Sequence, residues 1–143
     1  MKHISRLLMF LLITVSFASC DDYEDFEEDR ETVVGFSRVV GSPNVNLAPG
    51  ASRDKEAVVF VADVSNSERS FGIEIDTALS EITTDNFTFD AQAVIPANER
   101  EVRILVTITN NSLPEEQGLI VLKVVDSPNH VSGGRATLRA SSN

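Results

Sequence analysis

From about residue 32 onward, apolar and polar positions alternate with a period of two, and helical spacing is nowhere sustained. Val34 and Phe36 alternate with Gly35 and Ser37 in a short first strand. The clearest case is Phe71, Ile73 and Ile75 against Gly72, Glu74 and Asp76, which places one face in a core and the other in water. Phe87 and Phe89 alternate with Thr88 and Asp90, and Ala93 and Ile95 continue beyond them. Val102, Ile104, Val106 and Ile108 define a further inward face, with Arg103, Thr107 and Thr109 outward. Ile120, Leu122 and Val124 flank Lys123, and Ala136 and Leu138 oppose Arg135, Thr137 and Arg139. The stretch Ala57–Val64 is apolar but for Asp63, and it predicts a strand with Val58, Phe60, Ala62 and Val64 on one face.

Turn residues separate these segments. Gly41-Ser42-Pro43-Asn44 and Ala48-Pro49-Gly50 bracket an irregular connection, Ser65–Arg69 is a polar loop, and Ser132-Gly133-Gly134 precedes the last strand. In Pro96-Ala97-Asn98-Glu99, Asn98 can adopt the left-handed conformation that such a turn often requires. About seven short antiparallel strands without intervening helices predict an all-β, two-sheet sandwich. The predicted core is Phe36, Phe60, Phe71, Ile73, Ile75, Phe87, Phe89, Ile95, Ile104, Val106, Ile108, Leu122 and Leu138. Glu74, Asp76, Arg103, Lys123 and Arg139 are predicted to face water. A one-residue slip in any strand would exchange its two faces.

The first 31 residues follow a different logic. Lys2 and Arg6 precede the apolar run Leu7–Ile13, and small residues Ala18-Ser19 precede the sole cysteine, Cys20. That is the order of a secretory signal, and the apolar stretch falls short of the roughly 20 residues needed to span a bilayer. The Ser16-Phe17-Ala18-Ser19-Cys20 junction resembles the lipobox of bacterial lipoproteins, with Phe17 where leucine is usual. The resemblance implies residues 1–19 as signal peptide and a diacylglycerol thioether on Cys20, which would tie the protein to a membrane. Residues 20–31 then form a solvated, disordered tether, in which Asp21–Glu31 carries eight acidic residues and one arginine. This acidic run resembles the export signal of surface-exposed lipoproteins in some Gram-negative bacteria. It implies an outer-membrane, cell-surface location, with the periplasmic face as the alternative.

Residues 32–143 are read as the folded domain, and short motifs within it carry a family resemblance. Asn86-Phe87-Thr88-Phe89, Val94-Ile95-Pro96-Ala97-Asn98-Glu99, Ile104–Thr109, Leu113-Pro114-Glu115-Glu116 and Leu119–Val125 resemble a Calx-beta-type domain over roughly residues 70–126. The resemblance implies an immunoglobulin-like β-sandwich used for adhesion, spacing or protein contact. It also makes calcium a possible cofactor, through acidic residues clustered at one end of the sandwich. The matching positions here are Asn110, Asn111, Glu115 and Glu116, with asparagines where the family often has aspartates. Solvated loop side chains are the competing reading of the same four residues.

Composition removes other classes. The formal net charge is -10, and from Thr32 onward fourteen acidic residues oppose nine basic ones with no basic cluster. That excludes the electrostatic footprint of nucleic-acid binding. The only histidine after His3 is His130, read as an exposed loop residue, and Cys20 is consumed by lipid, so no nucleophile–base pair suggests an enzyme. The chain has no tryptophan, its one tyrosine (Tyr23) lies in the tether, and its domain phenylalanines are assigned inward. This argues against a sugar-stacking platform. Asn86-Phe87-Thr88 and Asn110-Asn111-Ser112 fit the N-glycosylation pattern by chance, and Asp76-Thr77-Ala78 resembles a bacterial O-glycosylation triplet with Thr77 as acceptor. The sequence thus describes a lipid-anchored, non-catalytic module for protein interaction, adhesion or spacing, with a calcium-binding domain and an accessory glycan-binding lipoprotein as alternatives.

Overall fold

The two longest runs with strand character pair with each other and organise the first sheet. β1 (Val33–Val39), β2 (Asn44–Leu47) and β3 (Ser52–Val61) open the fold in a computed structural model that describes residues 31–143. β4 (Arg69–Ile75), a single 3-10 turn at Thr84–Asn86, β5 (Phe87–Phe89) and β6 (Gln92–Ile95) follow. β7 (Glu101–Thr109), β8 (Gly118–Val124), β9 (Val131–Ser132) and β10 (Ala136–Ser142) complete it. The expected signal peptide, the lipidation expected on Cys20 and the expected tether up to residue 30 lie outside the described residues.

The first sheet runs β5-β7-β3-β1-β9 and the second β2-β10-β8-β4-β6. Internal pairings are antiparallel, whereas β9 joins β1 and β2 joins β10 in parallel at the sheet edges. The domain is therefore an all-β, immunoglobulin-like sandwich of two five-stranded sheets. Its core lies between them. Val34, Phe36, Ile104, Val106 and Ile108 of one sheet meet Phe71, Ile73, Ile95, Ile120, Leu122, Val124 and Leu138 of the other. Ile75, Phe89 and Val102 are partly buried against the same cluster, and Phe87 is buried within it. Asn98 has φ +66°, the left-handed turn conformation expected of it.

Four expectations need correction. In β3 the inward residues are Ala57, Val59 and Val61, so the face is opposite to the predicted one. Phe60 is half-buried on the outer face, and Ala62 and Val64 are exposed beyond the strand. The apolar run carries no alternation to fix the register, because Val58 is only 1% exposed despite facing outward. Arg38 of β1 and Arg103 of β7 flank it in register, where their long stems cover apolar surface. Second, Asp76 is buried, held by an ion pair described below. Third, the connection at residues 44–47 is β2, with Val45 and Leu47 in the core. Fourth, the strands number ten rather than seven: β2 and β9 were invisible, and Gln92–Ile95 leaves the sheet of β5 to pair with β4.

The polar half of β3 was also hidden. Ser52–Glu56 has no apolar pattern, yet it pairs with β7 through Ser52–Thr109, Asp54–Thr107 and Glu56–Arg103 side-chain bonds of 2.8, 2.7 and 2.8 Å. Where β1 meets β9, glycine is required. A Cβ on Gly35 would stand 2.5 Å from the Gly134 nitrogen, too close for any side chain. Elsewhere side chains cover open strand edges. Ser80 Oγ donates to the Val121 carbonyl and accepts from the Val121 N–H, at 3.2 and 3.0 Å. Glu81 accepts from Leu119 N–H at 3.0 Å, and Asp90 accepts from Leu105 N–H at 2.8 Å. These bonds occupy backbone groups that would otherwise template pairing with another chain.

Candidate functional site

A cleft opens where β8 parts from β4. The two strands are in register from Ile73↔Val124 to Ile75↔Leu122, and one further bond runs from Val125 N–H to the Gly72 carbonyl at 2.9 Å. Beyond it the chain folds back in a tight turn, closed by the Ser127↔His130 bridge. The gap between β4 and this turn is a cleft of about 350 Å³, lined by Thr32, Arg69, Ser70, Phe71, Ser127, Asn129 and His130.

Each wall has a local cause. Phe71 is in the core by strand alternation, and His130 packs edge-on against its ring with centroids 5.3 Å apart and planes at 88°. Nε2 of His130 lies 3.0 Å from the Val125 carbonyl. A carbonyl only accepts, so Nε2 carries the proton and Nδ1 is the nitrogen left for another partner. The Arg69 guanidinium sits 6.0 Å from the Phe71 ring centroid. It is held there by Asp63, through bonds of 2.9 Å to the carboxylate and 2.8 Å to the carbonyl. Burial pushes the Asp63 carboxyl up, but hydrogen bonds from Arg69 and Thr32 outweigh it, so the group titrates below the usual carboxylate range. His130 is therefore half-buried and packed, unlike the exposed loop histidine expected.

Five exposed valines adjoin cleft residues in the chain or in register without lining the cleft. Val33, Val64, Val94, Val125 and Val131 are 38–49% exposed. Val33 follows the cleft residue Thr32, Val131 follows His130, Val64 follows Asp63, and Val94 is the register partner of Ser70. These valines are five of the eight large apolar residues that stand exposed among the described residues.

The corner nominated for calcium is a hydrogen-bonded network. Asn110 is buried, donating to the Leu47 carbonyl at 2.8 Å and Ser142 Oγ at 2.9 Å, and accepting from Leu113 N–H at 3.1 Å. Asn111 donates through its side chain to the Asp85 carbonyl, while Glu115 and Glu116 are exposed. The centre of this corner is Asn86, noted in the sequence only as the first residue of a glycosylation-like triplet and of a Calx-beta-like motif. Its amide donates to Thr83 and Ser112 hydroxyls at 2.9 Å each, and its carbonyl accepts from Asn111 and Ser112 N–H at 3.1 and 2.8 Å. Hydrogen bonds from Thr83 and Ser112 hold the Asp85 carboxyl below its ordinary value. Among the described residues no three His, Cys, Asp or Glu side chains converge as a metal site would need. Asn86, 1% exposed, and Asn110 of the two glycosylation-like triplets are interior side chains, whereas Thr77 is exposed after β4.

No protein-family model and no curated protein matches this chain. Solved structures do resemble it. A protein of unknown function from Bacteroides ovatus aligns with TM-score 0.51 at 15% identity, over 79% of this chain and 46% of that one. The CupB2 chaperone of Pseudomonas aeruginosa aligns with TM-score 0.46 at 16% identity, over 73% and 54%. The PapD-like domain 7 of human CEP192 aligns with TM-score 0.43 at 5% identity, over 79% and 84%. The chain spans about half the length of the bacterial two. At these identities the likeness concerns the fold alone, a β-sandwich module.

Proposed function

We propose that the protein is a non-catalytic interaction module, tied to the outer membrane by lipid on Cys20, that docks a protein partner on the apolar rim of the Phe71–His130 cleft. The observation that carries this reading is that five exposed valines, Val33, Val64, Val94, Val125 and Val131, adjoin residues of one cleft in sequence, register or hydrogen bonding and are taken as its rim. Covering exposed apolar surface beside a cleft with a partner is favourable by about 25 cal/mol per Å². The Calx-beta-like motifs of residues 70–126 support a module for contact rather than chemistry. Thr32, where the folded domain begins, lines the same cleft.

Isolation of the full chain from detergent-solubilised membranes tests the proposal. Wild type should bring down a defined partner, and the Val33→Asp/Val131→Asp double variant should lose it while melting within a few degrees of wild type. Equal recovery by both proteins, or no partner for wild type, would refute the rim as a docking surface.

A further inference from the structure

Resting on that reading, we infer that the cleft takes an extended segment of the partner with one apolar anchor residue flanked by lysine or arginine. Backbone geometry supplies the first part. Ile73 N–H bonds to the Ala91 carbonyl on the β6 side, and Gly72 accepts from Val125 on the β8 side. By alternation along a strand, the N–H and C=O of Ser70 point the same way as those of Gly72. On the β8 side no described strand is in register with β4 there, because the β4–β8 register stops at Ile73. Ser70 is exposed and lines the cleft, so its backbone pair is open to an incoming extended chain. Strand addition of this kind takes affinity from main-chain bonds and selectivity from the pocket beneath alternate side chains.

The pocket supplies the anchor. About 350 Å³ between the Phe71 and His130 rings and the turn accommodates one aliphatic or aromatic side chain, with room for the backbone that carries it.

Charge supplies the flanks. Arg69 is the cation of the cleft wall, and Asp63 already neutralises it. Lys123 is shared between Glu74 at 3.0 Å and Asp126 at 3.3 Å, which leaves that group with one net negative charge. Glu31 and Glu68 are exposed, and each stands one residue from a cleft-lining side chain. With Arg69 neutralised, the charged residues next in the chain to the cleft lining, Glu31, Glu68 and Asp126, are all acidic, which favours a basic segment and disfavours an acidic one.

Fluorescence anisotropy of the full chain with three labelled pentapeptides tests the inference: Lys-Val-Leu-Val-Lys, Glu-Val-Leu-Val-Glu and Lys-Ser-Ser-Ser-Lys. The basic, apolar peptide should bind at least about tenfold tighter than either control at low salt. The Glu31→Lys/Glu68→Lys variant should narrow the gap to the acidic peptide, and NMR shifts on binding should centre on Ser70 and His130. Equal binding of all three peptides, no binding, or shifts centred elsewhere would overturn it. If the membrane partner is still lost on Val33→Asp/Val131→Asp, that failure concerns the ligand chemistry and leaves the docking surface standing.

Discussion

The Asp76 carboxylate accepts a hydrogen bond from Arg135 Nε at 2.6 Å, joining the end of β4 to the start of β10 across β8. Asp76 is 7% exposed, with its backbone N–H bonded to the Val121 carbonyl and its Oδ1 accepting from Ala78 N–H. The bond from Arg135 is the main cause that holds its carboxyl below the usual range, against the opposing effect of burial.

This pair predicts acid sensitivity. A carboxyl whose folded pKa is depressed contributes stability that is fully present above its unfolded value, about 3.9, and is lost as pH falls through the folded value. The melting temperature of wild type should therefore drop steeply below about pH 4. Asp76→Asn should melt lower at pH 7 and lose less on acidification. Parallel curves for the two proteins would show that the pair does not contribute.

The reversed face of β3 predicts an asymmetry between two phenylalanines. Phe87→Ala should cost about 3–5 kcal/mol, as expected for an aromatic ring lost from a core. Phe60→Ala, on the outer face, should cost about 1 kcal/mol or less. Urea unfolding of the two variants measures both. Equal losses would restore the register in which Phe60 points inward.

The same strand shows how far the sequence could be read. Where apolar and charged residues alternate, as in β4, β7 and β8, the inward face was legible residue by residue. In Ala57–Val64 it was not, because β3 is central and its outer face is covered by arginine stems rather than left wet. Asp76 follows the alternation of β4 and reads as solvated; only the fold places Arg135 against it. The cleft was illegible for the same reason. Its residues come from three separated segments, and what creates it is the divergence of β8 from β4, which no local pattern records. Phe71 and His130 were each noticed, but nothing in the sequence puts their rings together.

The Asn86 corner predicts a structural, metal-independent role. Asn86→Ala would leave the N–H groups of Asn111 and Ser112 without their acceptor, and stability should fall by about 2–4 kcal/mol. Calcium at millimolar concentration, compared with chelator, should leave the melting temperature of wild type unchanged. A bound ion would raise it with concentration, so a rise abolished by Glu115→Gln/Glu116→Gln would reinstate the calcium site.

The proposed membrane attachment rests on Cys20. Detergent phase partitioning of wild type against Cys20→Ser should place the first in the detergent phase and the second in the aqueous phase. Aqueous partitioning of both would remove the lipid anchor from the account.

Site-specific photo-crosslinking in intact cells tests the docking surface most directly. A benzophenone amino acid replacing Val131, at the rim, should yield a discrete crosslinked protein band. The same probe replacing Leu79 or Arg139, exposed positions away from the cleft, should not. A crosslink of equal strength from all three positions, or one from Leu79 or Arg139 but not from Val131, would contradict the assignment of the Phe71–His130 cleft as the binding end of the domain.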